Sequence, residues 1–159
     1  MEREPVIVAA ARTPFGRLGG SLAAVPAVDL GARAIREVVE RSHVEPGDVD
    51  QVIMGTVLPA GQGQVPARQA AINAGLPASV SAFTINKVCA SALKAVNLGA
   101  LLVRSGEADV VVAGGMESMS RAPYLLQDQR FGSKFGDRVA VDSMMRDGLC
   151  CPVDGVLMG

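Results

Sequence analysis

Four short apolar runs mark the first 113 positions of this chain, and a segment with helical character lies between each and the next. Val6-Ile7-Val8-Ala9-Ala10 is continuous and β-branched, as a strand buried on both faces would be. Gln51-Val52-Ile53-Met54-Gly55, Phe83-Thr84-Ile85 and the run from Asp109 to Ala113 repeat the pattern. Such strands need helices on both faces, so the alternation predicts a layered α/β fold with right-handed crossovers. Pro14 and Gly16 end the first run, one lacking a ladder donor and the other permitting a turn. A helix is predicted over 29–41, capped by Asp29, with Leu30, Ala34 and Val38 on one face and Arg33, Glu37 and Glu40 largely on the other. A second is predicted over 66–73, opened by Pro66 and stopped by Gly75-Leu76-Pro77. The third, over 89–104, ends at Ser105-Gly106-Glu107.

Beyond Gly114-Gly115 the periodicity fades. Residues 118–159 mix Met, Arg, Asp, Gly and Pro without a second strand-helix series, which predicts a loop-rich excursion. Loops longer than about 15 residues commonly cover sites or mediate assembly. The chain stops there without an ordinary terminal element and reads as unfinished. Its 159 residues suffice for one sizeable core, and nearly half are hydrophobic, which argues against disorder of the whole. A net charge of -1 gives no electrostatic reason to expect nucleic acid, and no basic amphipathic segment calls for a membrane. The run Val110-Val111-Val112-Ala113-Gly114-Gly115 is too short to span a bilayer. Three cysteines, two of them adjacent as Cys150-Cys151, do not make a disulfide framework and suit a reducing compartment. Met1-Glu2-Arg3-Glu4-Pro5 lacks a secretory pattern. The expected location is cytoplasmic, with mitochondria or peroxisomes left open to a targeting segment absent from the sequence.

Cys89 carries the chemistry. It follows the strand-like Ala82-Phe83-Thr84-Ile85-Asn86 and opens a run of good helix formers. Unpaired N–H groups and aligned peptide dipoles at a helix start favour a thiolate, the nucleophilic form of the side chain. Small-residue packing is the alternative, and the two differ in whether the sulfur faces a pocket or apolar neighbours. Lys87 either adds to that field or lies on the surface, and Ser91 serves the first helical turn. Acyl chemistry also needs proton donors and an oxyanion site. The only histidine, His43, follows the first helix and precedes Pro46-Gly47, so it reads as exposed or capping.

Gly114-Gly115-Met116-Glu117-Ser118-Met119-Ser120 follows a buried strand, where α/β folds build sites, though a tight structural turn has the same composition. Glu117 reads as a hydrogen-bond acceptor rather than an acid, and Met116 and Met119 as core packing or an apolar cavity wall. Gly61-Gln62-Gly63-Gln64 is not a P-loop, and Gly16-Arg17-Leu18-Gly19-Gly20 is not a dinucleotide fingerprint. Arg121, Arg130, Lys134, Arg138 and Arg146 alternate with acids and read as a solvated surface. No CxxC pair, HExxH or histidine-carboxylate cluster supports zinc.

Four ordered stretches carry a resemblance: Val8-Ala9-Ala10-Ala11-Arg12-Thr13-Pro14-Phe15-Gly16, Gly61-Gln62-Gly63-Gln64-Val65-Pro66-Ala67-Arg68-Gln69-Ala70, Asn86-Lys87-Val88-Cys89-Ala90-Ser91-Ala92-Leu93-Lys94-Ala95 and Ala113-Gly114-Gly115-Met116-Glu117-Ser118-Met119-Ser120. Together they resemble the amino-terminal part of thiolases, the acetyl-CoA acetyltransferases and 3-ketoacyl-CoA thiolases. The resemblance implies a thiolase-like layered α/β fold built from two related halves. Residues 1–118 would be the first half without its later elements, and 119–159 the beginning of an inserted loop domain.

It further implies reversible thiolytic cleavage of 3-ketoacyl-CoA, or the reverse condensation, through an acyl thioester on Cys89. The backbone N–H of Cys89 would donate to an oxyanion hole. Coenzyme A would be substrate and product, with no prosthetic group and no metal. Acyl-CoA and CoA are the implied partners, and the implied assembly is a homodimer or homotetramer, with Phe83-Thr84-Ile85 and the loop before Pro66 as contacts.

A histidine and a second cysteine of the later half normally activate the thiol and move protons. His43, Cys150 and Cys151 lie outside those motifs, so these residues alone are expected to show negligible turnover. Val156-Leu157-Met158-Gly159 resembles a substrate-pocket segment that reads tyrosine-histidine-methionine-glycine in short-chain thiolases. Leu157 and Met158 are thereby substrate-binding candidates, and leucine in place of histidine leaves a broader 3-ketoacyl-CoA enzyme open. A ketoacyl-synthase-like condensing enzyme and a nonenzymatic acyl-binding or assembly module are the alternatives.

Overall fold

The computed structural model describes residues 3–158. Gln51–Gly55 (β1), Ser81–Ile85 (β2) and Val111–Gly115 (β3) form one parallel sheet in the order β2-β1-β3. Ile53 pairs with Phe83 on one side and Ala113 on the other. The period-two alternation of strands then sorts the side chains. Val52, Met54, Ala82 and Val112 share one face with the main core, while Ile53, Val111 and Ala113 turn to the other.

Helix α2 (Pro66–Ala74) packs on the first face, and helix α1 (Ala27–Ser42) packs on α2 and shares the same core. Helix α3 (Ser91–Ser105) packs on β1 and β3 from the opposite side. This division follows from chain direction. The path runs from β1 out to β2 and then back across β1 to β3, and right-handed crossovers running in opposite senses put their helices on opposite faces. Burial of an aliphatic such as Ile35, Val52 or Ile53, each at most 1% exposed, contributes about 1.5–3 kcal/mol.

The predicted strand over residues 6–10 does not form. Val6, Ile7 and Val8 are 75%, 81% and 69% exposed, and the segment joins neither sheet. Arg3 pairs with Asp109 at one end, and Arg41 donates to the Ala10 carbonyl at the other. A β-branched run becomes a strand only when a ladder partner and covering side chains are present, and here neither face is covered. The run predicted from Asp109 forms its strand two residues later, at Val111, because Asp50 accepts hydrogen bonds from the Asp109 and Val110 amides.

Helix α1 also differs from expectation. It begins at Ala27 behind an extended Pro26, with Asp29 in the first turn instead of at the cap. Its buried stripe is Ala27, Val28, Gly31, Ala32, Ile35 and Val39, and Leu30, Ala34 and Val38 lie on its half-buried shoulder. Close contact selects the small residues. A methyl at Gly31 would sit 2.5 Å from Met116 Sδ and 3.4 Å from Ala70 Cβ. Helix α2 keeps its predicted start at Pro66, and Arg36 closes it by donating to the Asn73 and Ala74 carbonyls.

Residues after 118 are loop-rich, as predicted. Tyr124–Leu125 (β4) and Val141–Asp142 (β5) form a short antiparallel pair, and Met144–Leu149 winds into a π-helical turn. The fully buried Ser143 joins these pieces by donating its hydroxyl and amide to the Pro123 carbonyl. Val88–Ser105 is long and apolar enough to cross a membrane by length and composition. Its small residues, Ser91, Ala95 and Gly99, are buried against the sheet.

Asp50 gives the sheet a pH dependence. The Val110 and Asp109 amides stabilise its carboxylate, holding the group below the ordinary aspartate value of 3.8. Its contribution to stability is therefore complete above the unfolded value and is lost as pH falls through the lower folded one. Asp50→Asn should lower the urea midpoint at neutral pH, with the gap to the parent closing below about pH 4. Because Asp50 is exposed, solvent screening keeps that gap small.

Candidate active site

The C-terminal ends of all three parallel strands open on one cleft of about 870 Å³, the position where open α/β sheets hold ligands. Thr56 and Val57 enter it after β1, Val88 and Cys89 after β2, and residues 116–120 after β3. Leu30 and Ala34 of α1 line one side, and residues 11–18 supply another. There the Arg12 guanidinium stands 5.0 Å from the Phe15 ring centroid.

Cys89 sits in a tight turn, not in the helix as predicted, because α3 begins two residues later at Ser91. The Ala90 amide donates to the Lys87 carbonyl and the Ser91 amide to the Val88 carbonyl, each at 3.1 Å. The Ser91 hydroxyl donates to Val88 O at 2.6 Å and accepts from the Lys87 amide at 2.8 Å. Ser91 thus serves the turn, as its place in the sequence suggested. Val88 has φ 47°, a left-handed backbone that costs a β-branched residue about 1–3 kcal/mol. Asn86 accepts the Val88 amide at 2.9 Å. Cys89 is exposed on the cleft wall and free of disulfide, so its surroundings are not those of a packed core residue. Among the described residues, no acceptor lies in hydrogen-bonding geometry with the Cys89 N–H.

A second tie crosses from β3 to β1. The Glu117 carboxylate accepts from the Thr56 hydroxyl at 2.9 Å, the Val57 amide at 2.6 Å and the Leu58 amide at 3.3 Å. This is the acceptor role its sequence position suggested. Gln62 donates to the Leu58 carbonyl at 2.8 Å, and Gln69 ties the Gln62 and Gln64 carbonyls. The glycine-rich loop is therefore structural scaffolding beside the cleft. Glu117→Gln places an amide N–H₂ against donors, so it should cost about 2 kcal/mol, measured as a lowered urea midpoint at unchanged slope.

The remaining candidates are dispersed. His43 is exposed, has φ 56° and caps α1 through its own amide to the Glu40 carbonyl, off the cleft. Lys87 is exposed and does not line the cleft. Cys150 and Cys151 are half-buried, with the Cys151 thiol 3.5 Å from Asp154 Oδ2. Leu157 and Met158 are 55% and 56% exposed and do not line the cleft. They run beside Leu149, which does, through a Leu157–Cys150 bridge and the Met158 amide bond to Leu149 O. Gly159 lies outside the described residues. Met116 is both core and cleft wall, and Met119 is half-buried on the wall. Sequence reasoning missed the wall at 11–18, the Asn86 bridge and the strained Val88. An asparagine two residues before the turn, able to form a local Asx bond, was the available signal for the last two.

Strand, strained turn, cysteine and helix opening on such a cleft define an α/β protein with an exposed thiol on the cleft wall. Residues 5–159 match the thiolase N-terminal domain, and the chain belongs to the thiolase family. It is 53% identical over 156 residues to an acetyl-CoA acetyltransferase of Schizosaccharomyces pombe, covering 98% of this chain and 40% of that protein. An acetyl-CoA acetyltransferase of Cupriavidus necator is 58% identical over 144 residues, covering 91% and 37% respectively. A probable acetyl-CoA acyltransferase of Staphylococcus epidermidis is 48% identical over 154 residues, covering 97% and 39%. The chain thus spans about two fifths of the length of these relatives.

Proposed function

We propose that this chain supplies the acyl-accepting cysteine of a thiolase-type acyltransferase acting on 3-ketoacyl-CoA and CoA. The observation that carries the reading is Cys89, exposed on a cleft where three parallel strands end. In the cleavage direction the Cys89 thiolate adds to the 3-keto carbon, and the new oxyanion is met by the Cys89 N–H. Collapse breaks the bond between C2 and C3 and leaves the acyl group on sulfur. The departing acetyl-CoA carbanion takes up a proton. Attack by the CoA thiolate on the acyl thioester then frees Cys89. Condensation reverses these steps, beginning with transfer of an acetyl group from acetyl-CoA.

The cleft walls supply apolar contacts from Leu30, Met116 and Met119, which suit an acyl chain. The groups that move protons come from outside these residues, since His43 caps α1 away from the cleft. Leu157 and Met158 stay substrate-side candidates through their ladder to Leu149, with an acyl range broader than acetoacetyl. Free thiols at Cys89, Cys150 and Cys151 suit a cytoplasmic setting. The β2 edge of the sheet suits pairing with a second copy in a homodimer or homotetramer. A protein carrying these residues and the complementary thiolase half should cleave 3-ketoacyl-CoA esters of several chain lengths. Exclusive use of acetoacetyl-CoA would overturn the broad acyl range, and no thiolysis at any length would overturn the reading itself.

A further inference from the structure

We propose that Asn86 is a positioning residue for Cys89, its side-chain amide holding the left-handed turn at Val88 against the loop that follows β1. Its carbonyl oxygen accepts the Val88 amide at 2.9 Å while its N–H₂ donates to the Val57 carbonyl at 3.3 Å. Val57 is itself immobilised, because its amide donates to Glu117 at 2.6 Å. Three strand ends are thus linked through one residue, Val57 after β1, with Glu117 after β3 on its N–H and Asn86 after β2 on its carbonyl.

The link is needed because the turn is strained. Val88 is β-branched at φ 47°, a conformation that persists only when its surroundings over-determine it. On the helix side Ser91 holds the Val88 carbonyl and the Lys87 amide. On the strand side, among the described residues, the Val88 amide is held by Asn86 alone. Without that bond Val88 relaxes toward negative φ, and the Cys89 amide and sulfur rotate with it. The sulfur stays exposed, so simple thiol reactivity survives. Acyl transfer, which needs thiol and amide placed together on one carbonyl, does not.

This inference rests on the proposed acyl transfer, but its first readout does not. In Asn86→Ala, the three-bond HN–Hα coupling and chemical shifts of Val88 should leave the left-handed range, and in Asn86→Ala/Val88→Gly residue 88 should return to it, since glycine adopts that conformation without strain. In a protein carrying these residues and the complementary thiolase half, acetylation of Cys89 by acetyl-CoA, followed by intact mass, should fall about 10–100-fold in Asn86→Ala. Alkylation of Cys89 by iodoacetamide should stay within about threefold of the parent. The double variant should recover acetylation to within about threefold. A merely structural asparagine would lower both thiol reactions together and would not be rescued by glycine. Val88 remaining left-handed in Asn86→Ala, or unchanged acetylation, overturns the proposal. A parent protein carrying both thiolase halves that alkylates but never acetylates overturns the acyl-transfer function instead, and the Val88 coupling still decides the positioning role.

Discussion

Gly55→Ala should destabilise the fold by about 3 kcal/mol, seen as a lower urea midpoint. Gly55 ends β1 beneath the first turn of α3. A methyl added there would lie 2.6 Å from Ser91 Cβ, 2.8 Å from the Ser91 carbonyl carbon and 2.9 Å from the Ala92 amide nitrogen. Two of these atoms are backbone, so no rotamer change relieves the clash, and α3 must lift off the sheet. Gly115 repeats the arrangement on β3, where an added methyl would meet Ala92 Cβ at 2.9 Å. The displacement would reach the site directly. Ser91 holds both the Lys87 amide and the Val88 carbonyl, so moving it releases the turn that presents Cys89. Loss of stability should therefore be accompanied by faster amide exchange over residues 86–91. Gly47, where an added methyl meets nothing within 4 Å, should accept alanine with little change on the same assay.

Cys89→Ala should abolish acyl uptake, a loss on the order of 10⁴-fold or more, because no other nucleophile replaces the thiolate. Stability should change by less than about 0.5 kcal/mol, since the side chain is exposed and bridged to no other cysteine. Cys150 and Cys151 do not line the cleft and should not take over. Cys150→Ala and Cys151→Ala variants should consequently acetylate as the parent does. Acetylation and stability separate at this position, whereas they move together at Gly55.

The parallel core was legible because each strand is a short apolar run between breakers. Gln51–Gly55 and Pro66–Ala74 fall within about one residue of where the apolar run and the proline-glycine punctuation put them. Val6 to Ala10 has the same local character and fails, because propensity names a conformation without naming its ladder partner. The wrong stripe on α1 has a similar cause. Leu30 looks more like a core residue than Gly31 does, yet Met116, after β3, packs into the space that a side chain at Gly31 would fill. Cys89 was legible from its place between a strand and a helix. Its supports were not, since Glu117 meets Thr56 across 61 positions only after the sheet order puts β3 beside β1. Asn86 reaches Val57 because β2 lies on the other side of β1. Left-handed Val88 was least legible, because valine is the residue type that ordinarily avoids that region.

The central claim is that the Cys89 thiol accepts an acyl group within its cleft. Incubation of a protein carrying these residues and the complementary thiolase half with acetyl-CoA, followed by intact mass and peptide mapping, is the direct test. The account predicts one added acetyl group, located on Cys89 and absent from Cys89→Ala. An unmodified chain, or an acetyl group carried on Cys150 or Cys151 instead, would contradict it.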